Sequence, residues 1–366
     1  MKIVDWSLHF YSLPYQREVV WANAVERAGI FALLRLTGDN GSLGIAEGTI
    51  KPTWSGVSPR SLRAALEDFI IPRLLSVDVS VPEAVNLALA GIPENRLAKG
   101  MADTACWCLR AMTADRPLWR QLGGTPEVDL TWALTRQAPH LMAREAGEMC
   151  QRYGFRTLKV KGGQGLETDL AALREIRAAV GEGVALYVDA NSAYPATEAL
   201  SYVRAIAKAG AVVAEDPCPL QPDHGFEALQ SEGGLPILVD RNCTSADDAR
   251  RFLERGAVAL STKPGRIGIS EARLIAALAA RRGARVAIGL YAESALGTLL
   301  SLQQAAALPP DLRLVAAEQT FYLTMTEQVL GRELEIRDGR VTLPAVSDLT
   351  TLVDWQKVER FALNVA

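Results

Sequence analysis

Between residues 156 and 263 the chain reads RTLKVK (156–161), VALYVD (184–189), AVVAE (211–215), PILVD (236–240) and AVALSTK (257–263). Each run is short, rich in Val, Leu and Ala, and mostly free of polar alternation. That suits strands buried on both faces, as in a parallel sheet. Each run also closes on a charged residue: Lys161, Asp189, Glu215, Asp240 and Lys263. The intervals between them are 28, 26, 25 and 23 residues, each one strand-plus-helix repeat. The charges therefore fall on consecutive strands and share one end of the sheet.

The pattern continues on both sides. DLTWAL (129–134) precedes it, and RVAIGL (285–290) and LRLVAAE (312–318) follow. The intervening segments read as helices. ETDLAALREIRAAVG places Leu170, Leu173, Ile176 and Val180 at helical spacing and stops at Gly181; SEARLIAALAARRG places Leu274, Ile275 and Leu278 on one face and stops at Gly283. TSADDARRFLERG opens on the cap-type residues Thr244 and Ser245. Eight such repeats predict an α/β fold, a (β/α)8 barrel. An open doubly wound sheet is disfavoured, because its Gly-rich first turn is absent. Residues 125–329 are assigned to the barrel. Residues 1–124 differ: IVDWSLHFYSL, IFALLRLTG and LGIAEGTI read as antiparallel strands, with helical stretches around 59–76, 82–90 and 95–112. They predict an N-terminal α+β capping domain, completed by a C-terminal segment, 330–366, that carries a hairpin signal at Asp338-Gly339.

Composition limits the function. The 366 residues carry 39 Lys+Arg against 42 Asp+Glu, a net charge of −3, with no basic cluster, which excludes a nucleic-acid interface. No apolar run is long enough to span a bilayer. MKIVDWSLHF lacks the basic, apolar and small-residue regions of a signal peptide, and the five scattered cysteines, including Cys106 and Cys108 in a core-like helix, read as reduced thiols. A cytoplasmic protein is expected, so the sequon at Asn242-Cys243-Thr244 is taken as chance. Three histidines rule out a histidine-rich metal centre and leave carboxylates as the ligands.

Barrel enzymes carry their reacting groups at the C-terminal strand ends. Asp189, Glu215 and Asp240 on three adjacent strands would repel without a cation, and oxygen ligands point to Mg2+, with Mn2+ as the alternative. Lys161 and Lys263 flank this patch, and Lys159 shares a strand face with Lys161, so its charge is expected to make Lys161 a better base. Two bases around a metal-bound carboxylate suit abstraction of the proton α to that carboxylate, through a metal-stabilised enediolate.

With those residues in place, the sequence resembles the enolase superfamily, and within it the muconate lactonizing enzyme (muconate cycloisomerase) subgroup of the mandelate racemase/muconate lactonizing enzyme family. LKVKGG (158–163), VDANSAY (188–194), AEDPCP (214–219), VDRN (239–242), STKPGRIGIS (261–270), GLYAESALGT (289–298) and AAEQTF (316–321) resemble its motifs in order. The resemblance implies Lys161 and Lys263 as acid/bases and Asp189, Glu215 and Asp240 as metal ligands. It implies Asn191, Glu293 and Glu318 as neighbours of the site. One departure is Arg241, where the subgroup commonly has an acid. A cation there disfavours a second cation on Lys263 or suits a substrate carboxylate.

Two cap segments, 11–24 and 50–62, fall where the family has its specificity loops, so Tyr15, Arg17, Trp21 and Trp54 are candidates to meet substrate. The leading expectation is a Mg2+-dependent cycloisomerase-like enzyme acting on a small-molecule carboxylate, as a homo-oligomer. The alternatives are a racemase or epimerase of N-acyl amino acids or dipeptides, and a dehydratase of a hydroxy acid. AAEQTF lacks the Asp-x-Asp pair of dipeptide epimerases, which lowers that reading. From other classes, Lys263 could form a Schiff base as in aldolases, or the barrel could be inactive.

Overall fold

The computed structural model describes residues 1–21 and 24–365; Ala22 and Asn23, within the first candidate specificity loop, lie outside the described residues. Three antiparallel strands open the chain: β1 (Ile3–Val20), β2 (Val25–Gly38) and β3 (Leu43–Ile50), in the order β1-β2-β3. The helix Arg96–Thr113 packs on this sheet and buries Cys106 and Cys108. A short strand, β4 (Glu127–Asp129), leads into the barrel. Its parallel sheet comprises β5 (Trp132–Leu134), β6 (Thr157–Lys161), β7 (Ala185–Asp189), β8 (Ala211–Glu215), β9 (Ile237–Val239), β10 (Ala259–Thr262) and β11 (Arg285–Ile288), adjacent in sequence order.

The expected eighth strand, 312–318, is not a regular strand. It closes the barrel through isolated parallel bridges, Arg313 with Val286 on one side and Ala317 with Leu130 on the other. The amides of Leu314, Ala317 and Glu318 donate to the carbonyls of Val286, Asp129 and Ile288. Helices occupy the outside at the expected places, among them Leu166–Val180, Ala246–Glu254 and Ile269–Arg281. In the last of these Ile275 is buried but Leu274 faces solvent, so the apolar stripe is narrower than the leucine spacing suggests.

Strand alternation then decides where the charges go. Tyr187, Val213, Leu238, Ala259 and Ala287 form an apolar layer inside the barrel. Residues two positions further along a strand face the same way. Asp189, Glu215 and Asp240 therefore stand one layer above Tyr187, Val213 and Leu238, at the C-terminal mouth.

The C-terminal hairpin departs from expectation. β12 (Ile336–Arg337) and β13 (Arg340–Thr342) turn through Asp338 and Gly339, both with positive φ, as the tight hairpin turn requires. β13 pairs with β4 rather than with the cap, because that three-residue strand leaves an open edge beside it. The rest of the segment does return to the cap: Trp355 meets His9 of β1 edge-on at 5.8 Å, Leu363 donates to Phe10 and Ser12 to Phe361.

The cap is fastened beside the mouth. Asp103 of the helix Arg96–Thr113 accepts from the amide and hydroxyl of Ser270 at 2.7 and 2.6 Å. Gly100 lies so close to Gly268 that a Cβ there would come within 2.7 Å of its backbone nitrogen. Glu47 of β3 accepts from Tyr11 Oη at 2.5 Å, from the amide of Ser294 at 3.1 Å, and from the Ser294 hydroxyl. Burial pushes the Glu47 carboxyl up to about 7, although these hydrogen bonds oppose it. A raised folded-state value means that Glu47 stabilises the fold fully below its ordinary value of 4.5, and that this is lost as pH rises through 7. Between about pH 5 and about pH 8, Glu47→Gln should escape up to roughly 3 kcal/mol of destabilisation that the unaltered protein incurs. Thermal melts across that window test this, and melting curves that stay parallel contradict it.

Candidate active site

Register sets the first contacts. Lys161 pairs with Asp189 across β6 and β7, and Asp189 with Glu215 across β7 and β8. Asp240 and Lys263 follow directly after β9 and β10. Lys161 Nζ donates to Asp189 Oδ2 at 2.6 Å and to Asn191 Oδ1 at 3.4 Å; the Asn191 amide donates to Asp189 Oδ1 at 2.8 Å. Lys263 Nζ stands 2.5 Å from Asp240 Oδ2. β7, β8 and β9 separate the two lysine strands, so Lys161 and Lys263 flank the three acids from opposite sides.

Lys159 does something different from what was expected of it. Its ammonium is buried and lies 2.8 Å from Glu215 Oε1, 2.8 Å from Glu318 Oε2 and 3.1 Å from Asp189 Oδ2. Burial alone would lower its pKa, but the three carboxylates outweigh burial and hold it well above the ordinary lysine value. As the side chains stand, it is a buried counter-ion to three acids. Glu318, whose other oxygen accepts from Tyr187 Oη at 2.6 Å, lies beneath the mouth as part of the same cluster.

The remaining electrostatics follow from counting charges. Asp189, Glu215 and Glu318 face Lys159 and Lys161, which leaves one carboxylate in excess. For Asp189, the two lysines overcome burial and hold the carboxyl well below its usual range. Glu215 takes the opposite shift: burial, then Asp189, push it well above. Asp240 is pushed up by burial but held low by Lys263, Arg266 and Lys159. Glu215 Oε2 and Asp240 Oδ1 are buried and have no hydrogen-bond partner. Two unpartnered carboxylate oxygens beside an excess negative charge fit a hard divalent cation. Among the described residues, no three His, Cys, Asp or Glu side chains stand together so that they could hold a metal ion as they are placed; the lysines hold one oxygen of each acid.

The cluster borders a cavity of about 690 Å3, lined by Lys159, Lys161, Lys263, Asp240 and Asn191 from the barrel and by Trp21, Trp54, Ser55 and Val57 from the cap. Arg241 lines it too; its side chain is exposed and no partner for it is found among the described residues, while its amide donates to Asp216. Tyr15 does not line the cavity. It is buried behind it against Phe321, where the ring packs edge-on at 5.6 Å. Arg17 turns to Thr135 and Glu145. Glu293 is buried behind the loop that follows β11, where it accepts from the Tyr291 amide at 2.6 Å.

Several residues at the site carried no sequence signal of their own. Asp216 accepts from the amides of Asp240 and Arg241, which orients the third acid, and burial pushes its carboxyl up to about 7. Asp169 accepts from Tyr194 and Tyr202 hydroxyls and from the amides of Gly163 and Gln164, fixing the loop that follows Lys161. Arg136 ties that loop to the next through the carbonyls of Gly162 and Ala190. Asn191, Ser192, Asp216 and Ala292 all have positive φ on these loops. Strained backbone of this kind gathers at functional sites.

Residues 141–348 match the family described as Enolase C-terminal domain-like, and residues 14–123 match the Mandelate racemase / muconate lactonizing enzyme N-terminal domain. The chain belongs to the mandelate racemase/muconate lactonizing enzyme family of the enolase superfamily. Members of that family are enzymes, and this protein is one of them. It is 28% identical over 372 residues to N-succinylamino acid racemase of Thermus thermophilus, covering 99% of this chain and 98% of the relative. It is 26% identical over 369 residues to chloromuconate cycloisomerase of Cupriavidus necator, covering 99% of each. Among solved structures, muconate lactonizing enzyme from Pseudomonas fluorescens superposes with a TM-score of 0.91 at 24% identity, over 99% of each chain. At that identity the likeness speaks for the fold alone. No helix among the described residues is long and apolar enough to cross a membrane.

The contrast between the two neighbouring lysines is testable. Lys159→Met leaves three buried carboxylates without their shared ammonium and should cost about 3–5 kcal/mol, read as a fall in the urea midpoint. Lys161→Met should cost less than about 2 kcal/mol, because Asp189 keeps Lys159. Equal losses in the two variants contradict this division of roles.

Proposed function

We propose that this enzyme moves the proton α to a substrate carboxylate, in a muconate cycloisomerase-like reaction. The observation that carries this reading is the placement of Lys161 and Lys263 on opposite flanks of Asp189, Glu215 and Asp240, with Lys161, Lys263 and Asp240 lining one cavity and Asp189 and Glu215 buried beside it. A divalent cation, Mg2+ or Mn2+, held by Asp189, Glu215 and Asp240 supplies when bound the positive field in which a carboxylate's α-proton becomes acidic. The protein's own groups do the rest. Asp189 and Asn191 hold the Lys161 ammonium at the mouth, where it delivers a proton to the α-carbon as the substrate's second carboxylate closes a ring, or removes it in the reverse direction. Lys263, held by Asp240, stands across the site and stabilises the developing charge. Arg241 is the candidate to receive a second carboxylate, since a guanidinium without an acid partner suits one.

A racemase is the second reading. It is favoured by the two lysines themselves, since one can remove the proton and the other return it on the opposite face. The relatives include both kinds of enzyme.

Incubation in D2O with a panel of muconates, N-acyl amino acids and acid sugars tests the common step. Exchange at the α-carbon is expected with at least one of them. It should fall by about 10²–10⁴-fold in Lys161→Ala and stop on removal of divalent metal with EDTA. Exchange that survives both treatments contradicts the proposal. Borohydride trapping of a substrate on Lys263 would favour Schiff-base chemistry instead.

A further inference from the structure

Behind the cap side of the cavity lies a cation that the proposed reaction does not use. Lys51 follows directly after β3, and its side chain is 1% exposed. Its ammonium is paired with Glu26 and lies 3.4 Å from Tyr15 Oη. It also stands over three aromatic faces, 4.7 Å from the Trp21 ring centroid, 5.8 Å from Tyr15 and 5.9 Å from Trp54. Trp21 Nε1 donates to the same Glu26 oxygen at 2.8 Å. The Lys51 carbonyl accepts from the amides of Trp54 and Ser55, both at 3.0 Å, and from the Ser55 hydroxyl. The two cap segments that line the cavity therefore meet at one residue, the first through Trp21 and the second through Trp54 and Ser55.

The rings continue this link across the cavity wall. Trp21 meets Trp54 edge-on at 4.9 Å, and Trp54 meets Tyr291 of the barrel at 5.9 Å. An ammonium enclosed by aromatic faces and a single carboxylate orders them strongly, because water does not compete for it.

We infer that Lys51 is a positioning residue that fixes Trp21 and Trp54 as a rigid aromatic wall, and that this wall selects carboxylates that lay a flat, apolar stretch of carbon skeleton against it. The substrate preference rests on the reaction proposed above; the positioning role does not. Lys51→Met keeps the volume and removes the charge, and Lys51→Arg keeps a cation that stacks on rings.

Tryptophan fluorescence gives the first readout. Acrylamide quenching should rise about twofold in Lys51→Met, recover in Lys51→Arg, and show no such difference when Trp21→Phe and Trp54→Phe are already present. Titration with phenylacetate gives the second. It should quench the unaltered protein, with an apparent Kd at least about fivefold weaker in Lys51→Met, while acetate quenches neither. If Lys51→Met does not fold, Glu26→Gln, which removes the counter-ion and the Trp21 acceptor, should shift the same two readouts. Unchanged quenching and unchanged phenylacetate affinity overturn the inference, as does equal loss in Lys51→Met and Lys51→Arg. Absence of α-deuterium exchange in the unaltered protein overturns the reaction instead, and leaves the fluorescence result to decide the role of Lys51.

Discussion

One buried ammonium holds the centre of this barrel together. Lys159 is enclosed by Asp189, Glu215 and Glu318, contributed by the third, fourth and eighth repeats. Left unpaired, three carboxylates in that interior would be driven to neutrality by burial and mutual repulsion. With Lys159 among them and Lys161 on Asp189 they stay close, and one negative charge is left over. An excess of this kind would suit a further cation, and the unpartnered second oxygen of Glu215 faces it without a hydrogen-bond donor. Stability and proposed chemistry thus draw on the same group of side chains.

Everything else at the mouth is arranged around that group. Strand alternation lifts Asp189, Glu215 and Asp240 one layer above an apolar floor, while Asp216 and Asp169 hold the loops by accepting backbone amides. The cap closes the opposite side, fastened through Asp103 to Ser270, seven residues beyond Lys263, and through Glu47 to Ser294. Cap and barrel are therefore joined beside the mouth, which favours a fixed cavity over a loosely covered one.

The parts that could be read from the sequence are those with a period. Charges recurring once per repeat marked Lys161, Asp189, Glu215, Asp240 and Lys263, and the structure brings them to one mouth. The three-acid setting of Lys159 was not legible for a physical reason: Glu318 reaches it from 159 residues away, and no local pattern shows that a third carboxylate converges there. Tyr15 failed similarly, since an aromatic in a loop reads alike whether it faces a cavity or lies behind one. Asp169, Asp216 and Lys51 act through backbone amides or enclosed rings, which leave no spacing to detect. The eighth strand had the right composition but pairs only at isolated bridges, because its neighbours Leu130 and Val286 meet it at single points.

On the proposed reading, the acids at the mouth form a cation site whose charge the lysines do not fully satisfy. Calorimetric titration of Mg2+ into the unaltered protein, Glu215→Gln and Asp240→Asn tests it most directly. The unaltered protein should bind one ion saturably, and binding should be lost or greatly weakened in both variants while both remain folded. Undiminished binding in the two variants, or no binding by the unaltered protein, would contradict it.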